Sequence, residues 1–457
     1  MKAPTQAGVS RRGAIGLMGM SAAAVLARPA AAAVPESAVD AAAEAYMRER
    51  NIPGLLLGIV QGGRTVVRKA YGFSDLELGV PARPEHIYQS GSTGKMFTTT
   101  AIMQLVADGR VALDAPVGRY LKTAPALWNA ITVEQLMRHR SGVPDYDGEE
   151  FNVALEWTPE AFIAKVGSWP LDFAPGTRFS YSNSGYVLLG FVIEAVTGKP
   201  YGAHLAERVF DPAGMKTARV NDIDAIIPGR ARGYRPDKDG ALIRPENVSR
   251  TANAFADGSL LYSLDDLIAW EHAVAANTVL PPSAQAFLES VPLFPDGTKP
   301  VEGYGAGWTT RRVRGHRVVS HGGVWQGFSA WVGRWPEKGL AMLMLANHER
   351  GHPGGLAPRL AALFDPVLGP YLPVKDGDPR RTARDRARLA DYLAGAEKPG
   401  TSAQQRRDAL IGPLKAADTF ALVDVTRDAR VYRFGEAQGR MLAVFDRRGG
   451  IGFEVAE

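Results

Sequence analysis

The hydrophobic period of this 457-residue chain changes twice, and that change limits the folds open to it. Near the start, two β-rich runs at 55–61 and 65–70 flank Gly62-Gly63-Arg64 and read as a hairpin. The pattern then turns helical. A run at 92–107 closes on Asp108-Gly109, and one at 132–139 opens with Thr132 and Gln135 at capping-box spacing. Further runs cover 183–196, ending at Thr197-Gly198, and 263–276, with Asp266 three residues after the capping serine. Short apolar or alternating runs return at 317–320, 328–334 and 340–346, joined by glycine-rich turns, as adjacent antiparallel strands would be. Two more helices are predicted at 36–50 and 355–364. Strands at both ends with helices between predict an α/β fold of the α+β type. One antiparallel sheet is built from both chain ends and flanked by helices, and the central helices form a separate all-helical lobe.

A different segment begins at Lys375-Asp376-Gly377-Asp378-Pro379, whose composition is that of a polar linker. An Arg-rich helix at 382–393, a second helix at 402–416 and short strands over 420–455 predict a small C-terminal α/β-strand module. The expected division is therefore 34–374 for the main domain and 375–457 for the module, preceded by a leader at 1–33.

Composition narrows the function classes. Apolar residues at 46% and charged residues at 22% are ordinary for a globular protein, which argues against a disordered, collagen-like or coiled-coil chain. Cysteine is absent, so disulfides, a thiol nucleophile and Cys-ligated metals or iron-sulfur clusters are excluded. The net charge of +5 invites a nucleic-acid reading until its location is considered. Lys2, Arg11, Arg12 and Arg28 lie in the first 33 residues, which hold no acid; the rest carries 49 basic against 48 acidic side chains. No nucleic-acid partner is expected.

Those 33 residues have the order of an export signal: a basic start, an apolar run at 13–26 and small residues at 30–33. Arg11-Arg12 after Ser10 resembles a twin-arginine signal, and an ordinary Sec signal is the alternative. A periplasmic or secreted location is expected. The run is too short to span a bilayer, and no later stretch reaches ~18 apolar residues, so no transmembrane anchor is expected.

The chemistry-bearing feature is Ser92-Thr93-Gly94-Lys95, the only S-x-x-K in the chain, at the start of a predicted helix. At that spacing a serine hydroxyl and a lysine amine lie one turn apart on one face. Serine needs a neighbouring base to become a nucleophile, and lysine can be that base. The helix N-terminus aims N–H groups at developing negative charge, so the Ser92 amide is a candidate oxyanion donor. The structural alternative is an N-cap serine beside a solvated lysine. Farther on stand Tyr181-Ser182-Asn183, the only Y-x-N, just before a helix, and His321-Gly322-Gly323 at the end of a predicted strand.

These three elements, in this order, resemble the serine β-lactamase and penicillin-binding-protein superfamily. The likeness is greatest to the branch holding class C β-lactamases, D,D-carboxypeptidases, D-aminopeptidases and β-lactamase-fold esterases. ITVEQLMRHRSGVPDY at 131–146, PGTRFSYSNSGYVLLG at 175–190, the run at 258–266 and Tyr304-Gly305-Ala306-Gly307-Trp308 agree, and the resemblance covers roughly 36–365. It implies Ser92 as acylated nucleophile, Lys95 as its proton partner and Tyr181 as proton relay to the leaving group. Asn183 would bind the substrate amide and help hold Lys95, with no cofactor and no metal. His321 stands where β-lactamases carry the lysine of Lys-Thr-Gly. Gly322 and Gly323 would leave the strand edge bare for a substrate backbone, and the Val324 N–H would be the second oxyanion donor.

Histidine in place of that lysine removes a fixed cation and introduces a group that ordinarily titrates near pH 6.5, which predicts activity titrating around neutrality. It also moves the expectation from β-lactams toward amide or ester hydrolysis on a small-molecule or peptide substrate. A β-lactamase or D,D-carboxypeptidase is the alternative within the superfamily, and a non-catalytic cell-wall-peptide or penicillin-binding module the alternative outside enzymes. His348-Glu349-Arg350-Gly351-His352 matches H-E-x-x-H, but Gly351 and Pro353-Gly354-Gly355 predict a turn rather than the helix that a zinc site requires. No G-x-S-x-G elbow is present, and Gln89 occupies the first glycine position of a phosphate loop. The oligomeric state is left open.

Overall fold

The computed structural model describes residues 34–146, 150–298, 300, 303–370, 374–394, 420–425, 429–434, 441–446 and 451–455. The predicted leader and the predicted helix at 402–416 lie outside the described residues. Helix α1, Glu36–Arg50, ends on Asn51 in the left-handed conformation. Strands β1, Gly54–Gln61, and β2, Arg64–Asp75, form the expected hairpin. Its turn is two residues rather than three, because Gly62 and Gly63 both take positive φ and Gln61 pairs with Arg64.

A short β3, Val80–Pro81, adds to β2. The chain then runs through helices and returns as β4, Thr309–Val313; β5, His316–Trp325; β6, Phe328–Trp335; and β7, Leu340–Ala346. The seven strands lie in the order β3-β2-β1-β7-β6-β5-β4, so β1 from one chain end pairs antiparallel with β7 from the other. Strands β3 and β4 are additional to the sequence reading, and β5 continues past His321 to Trp325 because Gly322 and Gly323 stay paired with β6.

Period-2 alternation divides the sheet residues between two cores. Leu55, Leu57, Ile59, Met342, Met344 and Ala346 face α1 and a helix near the end of the main sheet, α5, Ala357–Phe364. Leu56, Leu343, Leu345, Val319 and Val332 face the larger core. That core holds α2, Lys95–Ala107; α3, Asn183–Thr197; and α4, Leu264–Ala275. Gly58 lies under Leu264 and Ile268 of α4. The predicted caps form: Thr132 and Gln135 close both halves of a capping box, and so do Ser263 and Asp266.

The strands Phe420–Val425, Ala429–Phe434, Met441–Asp446 and Ile451–Val455 make a separate four-stranded antiparallel sheet. A helix, α6, Pro379–Ala394, lies against it: the Tyr432 hydroxyl donates to Asp385 at 2.7 Å, and both groups are buried. Val313 of β4 packs against Val423, Val431 and Leu442, which joins this sheet to the edge of the large one.

Candidate active site

Residues Gly91–Gly94 form a 3-10 turn and the α-helix proper starts at Lys95. The sequence reading placed Ser92 inside the α-helix; the tighter turn eclipses residues three apart and stacks Ser92 directly against Lys95. Glycines permit this turn. Gly91 has φ +49°, and a Cβ there would stand 2.3 Å from the Val324 nitrogen; a Cβ on Gly258 would meet the Gly91 carbonyl carbon at 2.6 Å. Three side chains around the turn grip three successive carbonyls of one neighbouring segment. Ser90 Oγ donates to Gly258 O at 2.6 Å, Lys95 Nζ to Asp257 O at 2.6 Å and Thr98 Oγ1 to Ala256 O at 2.7 Å.

Lys95 is fully buried and meets an oxygen with each of its three donors. Besides Asp257 O, Nζ lies 2.9 Å from Ser92 Oγ and 2.7 Å from Asn183 Oδ1. Asn183 is the first residue of α3, presented by the N-cap Ser182. Its orientation is set by Asp145, which accepts from the Asn183 backbone N–H at 3.0 Å and from Nδ2 at 3.1 Å. With Nδ2 committed to a carboxylate, the amide must turn its oxygen to Lys95. The ammonium also lies 4.9 Å from the Tyr181 ring centroid and 5.3 Å from that of Tyr186.

Strand β5 closes the opposite side. It pairs with β4 only as far as Ser320–Thr309, so from His321 onward that edge is open, while β6 pairs with the other edge through Trp325–Phe328. Gln326 and Gly327, with φ 48° and 81°, make a two-residue loop in which the flanking Trp325 and Phe328 exchange both backbone bonds. Alternation along the ladder then turns the N–H and C=O of Gly322 and Val324 away from β6, toward the open edge. Gly323 lies hard against the serine turn: a Cβ there would stand 2.2 Å from Ser90 O and 2.8 Å from Ser92 N. The Ser92 and Val324 amides therefore sit on two backbone segments in contact.

His321 reaches this site with its ring buried and hydrogen-bonded at both nitrogens. Nδ1 lies 2.6 Å from Gly322 O, which can only accept, so Nδ1 carries the proton; Nε2 then accepts from the Tyr304 hydroxyl at 3.0 Å. Burial, reinforced by the Lys95 cation, pushes its pKa from 6.5 down to about 3. The expected titration near neutrality is corrected: His321 stays neutral there. Both ring nitrogens are engaged within the protein.

Ser92, Lys95, Tyr181, Asn183, His321, Gly322, Gly323 and Val324 thus converge from a helix start, a second helix start and one sheet edge. Sequence reasoning assigned no role to Asp145, the Asp257 carbonyl, Tyr304 or His139. Asp145, His139 and Tyr304 all lie in stretches that carried the resemblance, and nothing in their spacing shows which side chains they would meet. The H-E-x-x-H stretch lies in a turn after β7, with His352 at φ 45°. His348 Nδ1 accepts the Arg350 N–H at 3.0 Å. Among the described residues no group of three or more acidic or histidine side chains is placed to hold a metal ion, and no helix is long and apolar enough to cross a membrane.

A family model described as Beta-lactamase matches residues 39–365. The chain is 28% identical over 309 residues to a D-aminopeptidase of Brucella anthropi, covering 65% of this chain and 57% of that one. It is 28% identical over 336 residues to the D-aminopeptidase of Brucella ovis, covering 71% and 61%. The chain therefore spans about three fifths of the length of the curated relatives it matches. Among solved structures, the octameric penicillin-binding protein homologue from Pyrococcus abyssi superposes with TM-score 0.62 at 24% identity, over 92% of this chain and 95% of that one. The D-amino acid amidase from Ochrobactrum anthropi SV3, complexed with L-phenylalanine, superposes with TM-score 0.62 at 24% identity over 72% and 98%. These two likenesses show a shared fold.

Proposed function

This chain belongs to the beta-lactamase family, and from that premise we propose that it is an exported serine hydrolase that cleaves amide or ester bonds of D-amino-acid-type substrates through an acyl-enzyme on Ser92. The observation that carries the reading is the 2.9 Å contact between Lys95 Nζ and Ser92 Oγ, with Lys95 fixed from two other sides by Asn183 and Asp257. As an ammonium, Lys95 donates to all three oxygens. Once neutral, it keeps two donated bonds and turns its lone pair to the Ser92 hydroxyl, which is the arrangement of a general base.

Ser92 Oγ then bonds the substrate carbonyl carbon while its proton passes to Lys95. The resulting oxyanion lies between the Ser92 and Val324 amides. Collapse breaks the bond to the leaving amine or alkoxide, which takes a proton relayed by Tyr181. Water attacks the ester so formed, and Ser92 regains its proton. Names borne by relatives, D-aminopeptidase and D-amino acid amidase, support amides of D-amino acids as substrates. A neutral His321 with both nitrogens engaged leaves no cation at that position for a substrate carboxylate, which weighs against β-lactams and D,D-carboxypeptidase substrates. Export rests on the leader-like order of residues 1–33, and the N-terminus of the secreted protein tests it: cleavage near residue 33 is expected.

The central test is intact-mass analysis of the wild type and Ser92→Ala with D-amino-acid amides, short-chain esters and penicillins. A covalent adduct on the wild type alone, with turnover lost in a folded Ser92→Ala, is expected. Unchanged turnover in that variant refutes the proposal.

A further inference from the structure

His139 meets the Tyr181 segment at three points. Its carbonyl accepts the Ser180 N–H at 3.0 Å and its Nδ1 accepts the Ser182 N–H at 3.1 Å, one residue to each side of Tyr181. Its ring lies against the Tyr181 ring, with centroids 4.1 Å apart and planes 33° apart. The rings of Tyr304 and Tyr186 enclose it at 4.6 and 5.0 Å. We propose that His139 is the positioning residue of Tyr181, clamping residues 180–182 so that the phenol faces Lys95 and the leaving group. This rests on the relay role given to Tyr181 in the hydrolysis above.

Two costs at His139 argue against a purely architectural part. Its φ of 54° is left-handed, where glycine or asparagine is better suited. With Nδ1 accepting, Nε2 carries the proton, and this buried N–H has no hydrogen-bond acceptor among the described residues. An asparagine would take the same backbone conformation and offer Oδ1 to Ser182. What it lacks is the ring that faces Tyr181.

The test compares D-alaninamide, whose leaving amine must be protonated, with p-nitrophenyl acetate, whose leaving group departs as an anion. H139N, which keeps the backbone acceptor and loses the ring, is expected to lower kcat for the amide ~10- to 100-fold. KM and ester turnover should change by no more than a few-fold. Y181F should show the same amide-selective loss, and the double variant should be no slower than Y181F, the non-additivity of two residues acting through one group. Equal slowing of both substrates, or additive losses in the double variant, overturns the proposal. Should H139N fail to fold by circular dichroism, H139G, which also loses the ring and suits the left-handed backbone at φ 54°, supplies the same comparison and the same criteria. Ser92→Ala on both substrates separates the two levels. If it retains turnover, the hydrolase reading fails; if it is inactive and the His139 losses are additive, only the clamp fails.

Discussion

Gly323 and Ser92 are in contact through backbone alone: a Cβ on Gly323 would stand 2.8 Å from the Ser92 nitrogen and 2.2 Å from the carbonyl oxygen of Ser90. Neither is the far end of a flexible side chain, so either β5 or the serine turn must move. Gly323→Ala is expected to separate the Ser92 and Val324 amides and to lower the acylation rate by ~10² or more, the scale of losing one oxyanion donor. Single-turnover mass spectrometry with an ester substrate measures it. Wild-type acylation in a folded variant would mean that the two amides do not share an oxyanion.

Asp145 acts on Lys95 through the Asn183 amide. Asp145→Asn places an NH2 where a carboxylate oxygen accepted, so the Asn183 amide is expected to rotate and bring its own NH2 toward the Lys95 ammonium. A fall in kcat of ~10-fold or more with little change in melting temperature is the expected result. The reverse pattern, a lower melting temperature with unchanged kcat, would place Asp145 outside the lysine's support.

His321 is held neutral with a pKa of about 3, against 6.5 for the free side chain. Between these values the unfolded chain binds a proton that the folded chain refuses, so folding stability is complete above about pH 6.5 and falls as pH drops through that window. His139 shifts the same way, chiefly through burial with the Lys95 cation adding to it, and steepens the loss. Denaturant titrations from pH 7 to 4 should show a shallower decline in His321→Gln than in the wild type. Rate profiles of the two proteins should have the same shape between pH 6 and 8, whatever their absolute rates.

Arg334 is buried beside Glu271, Nε to Oε2 at 2.7 Å, with its guanidinium 4.3 Å above the Trp308 ring and Glu289 at 3.4 Å. Glu271→Ala leaves that cation with one distant carboxylate. A loss of ~3 kcal/mol is expected, at the low end for breaking a buried pair because Glu289 remains. Urea unfolding measures it; a loss below ~1 kcal/mol would show that Glu289 suffices.

Sequence alone carried much of this fold because its strongest signals are local. The capping boxes at Thr132 and Ser263, the glycine stops after α2 and α3 and the alternation along 340–346 each need only a few neighbouring residues. The contact between Ser92 and Lys95 was legible for the same reason, since the two are three residues apart. Lost to the sequence reading were relations set by packing: the 3-10 turn at Ser92, the run of β5 through Gly322-Gly323, and the carbonyl of Asp257 under Lys95. The protonation of His321 belongs here as well. An imidazole's ordinary pKa is a property of water, and His321 is not in water.

The pairing of β1 with β7 has a consequence for how the molecule comes into being. Leu55 meets Ala346, so the centre of the sheet cannot close until nearly three hundred intervening residues have been made. Until then the β1–β2 hairpin presents an apolar, unfilled edge, and the serine turn has no β5 to press against. A nascent chain stopped short of residue 340 has the chemical groups of the site and no means of assembling them. Folding and competence to react would therefore arrive together.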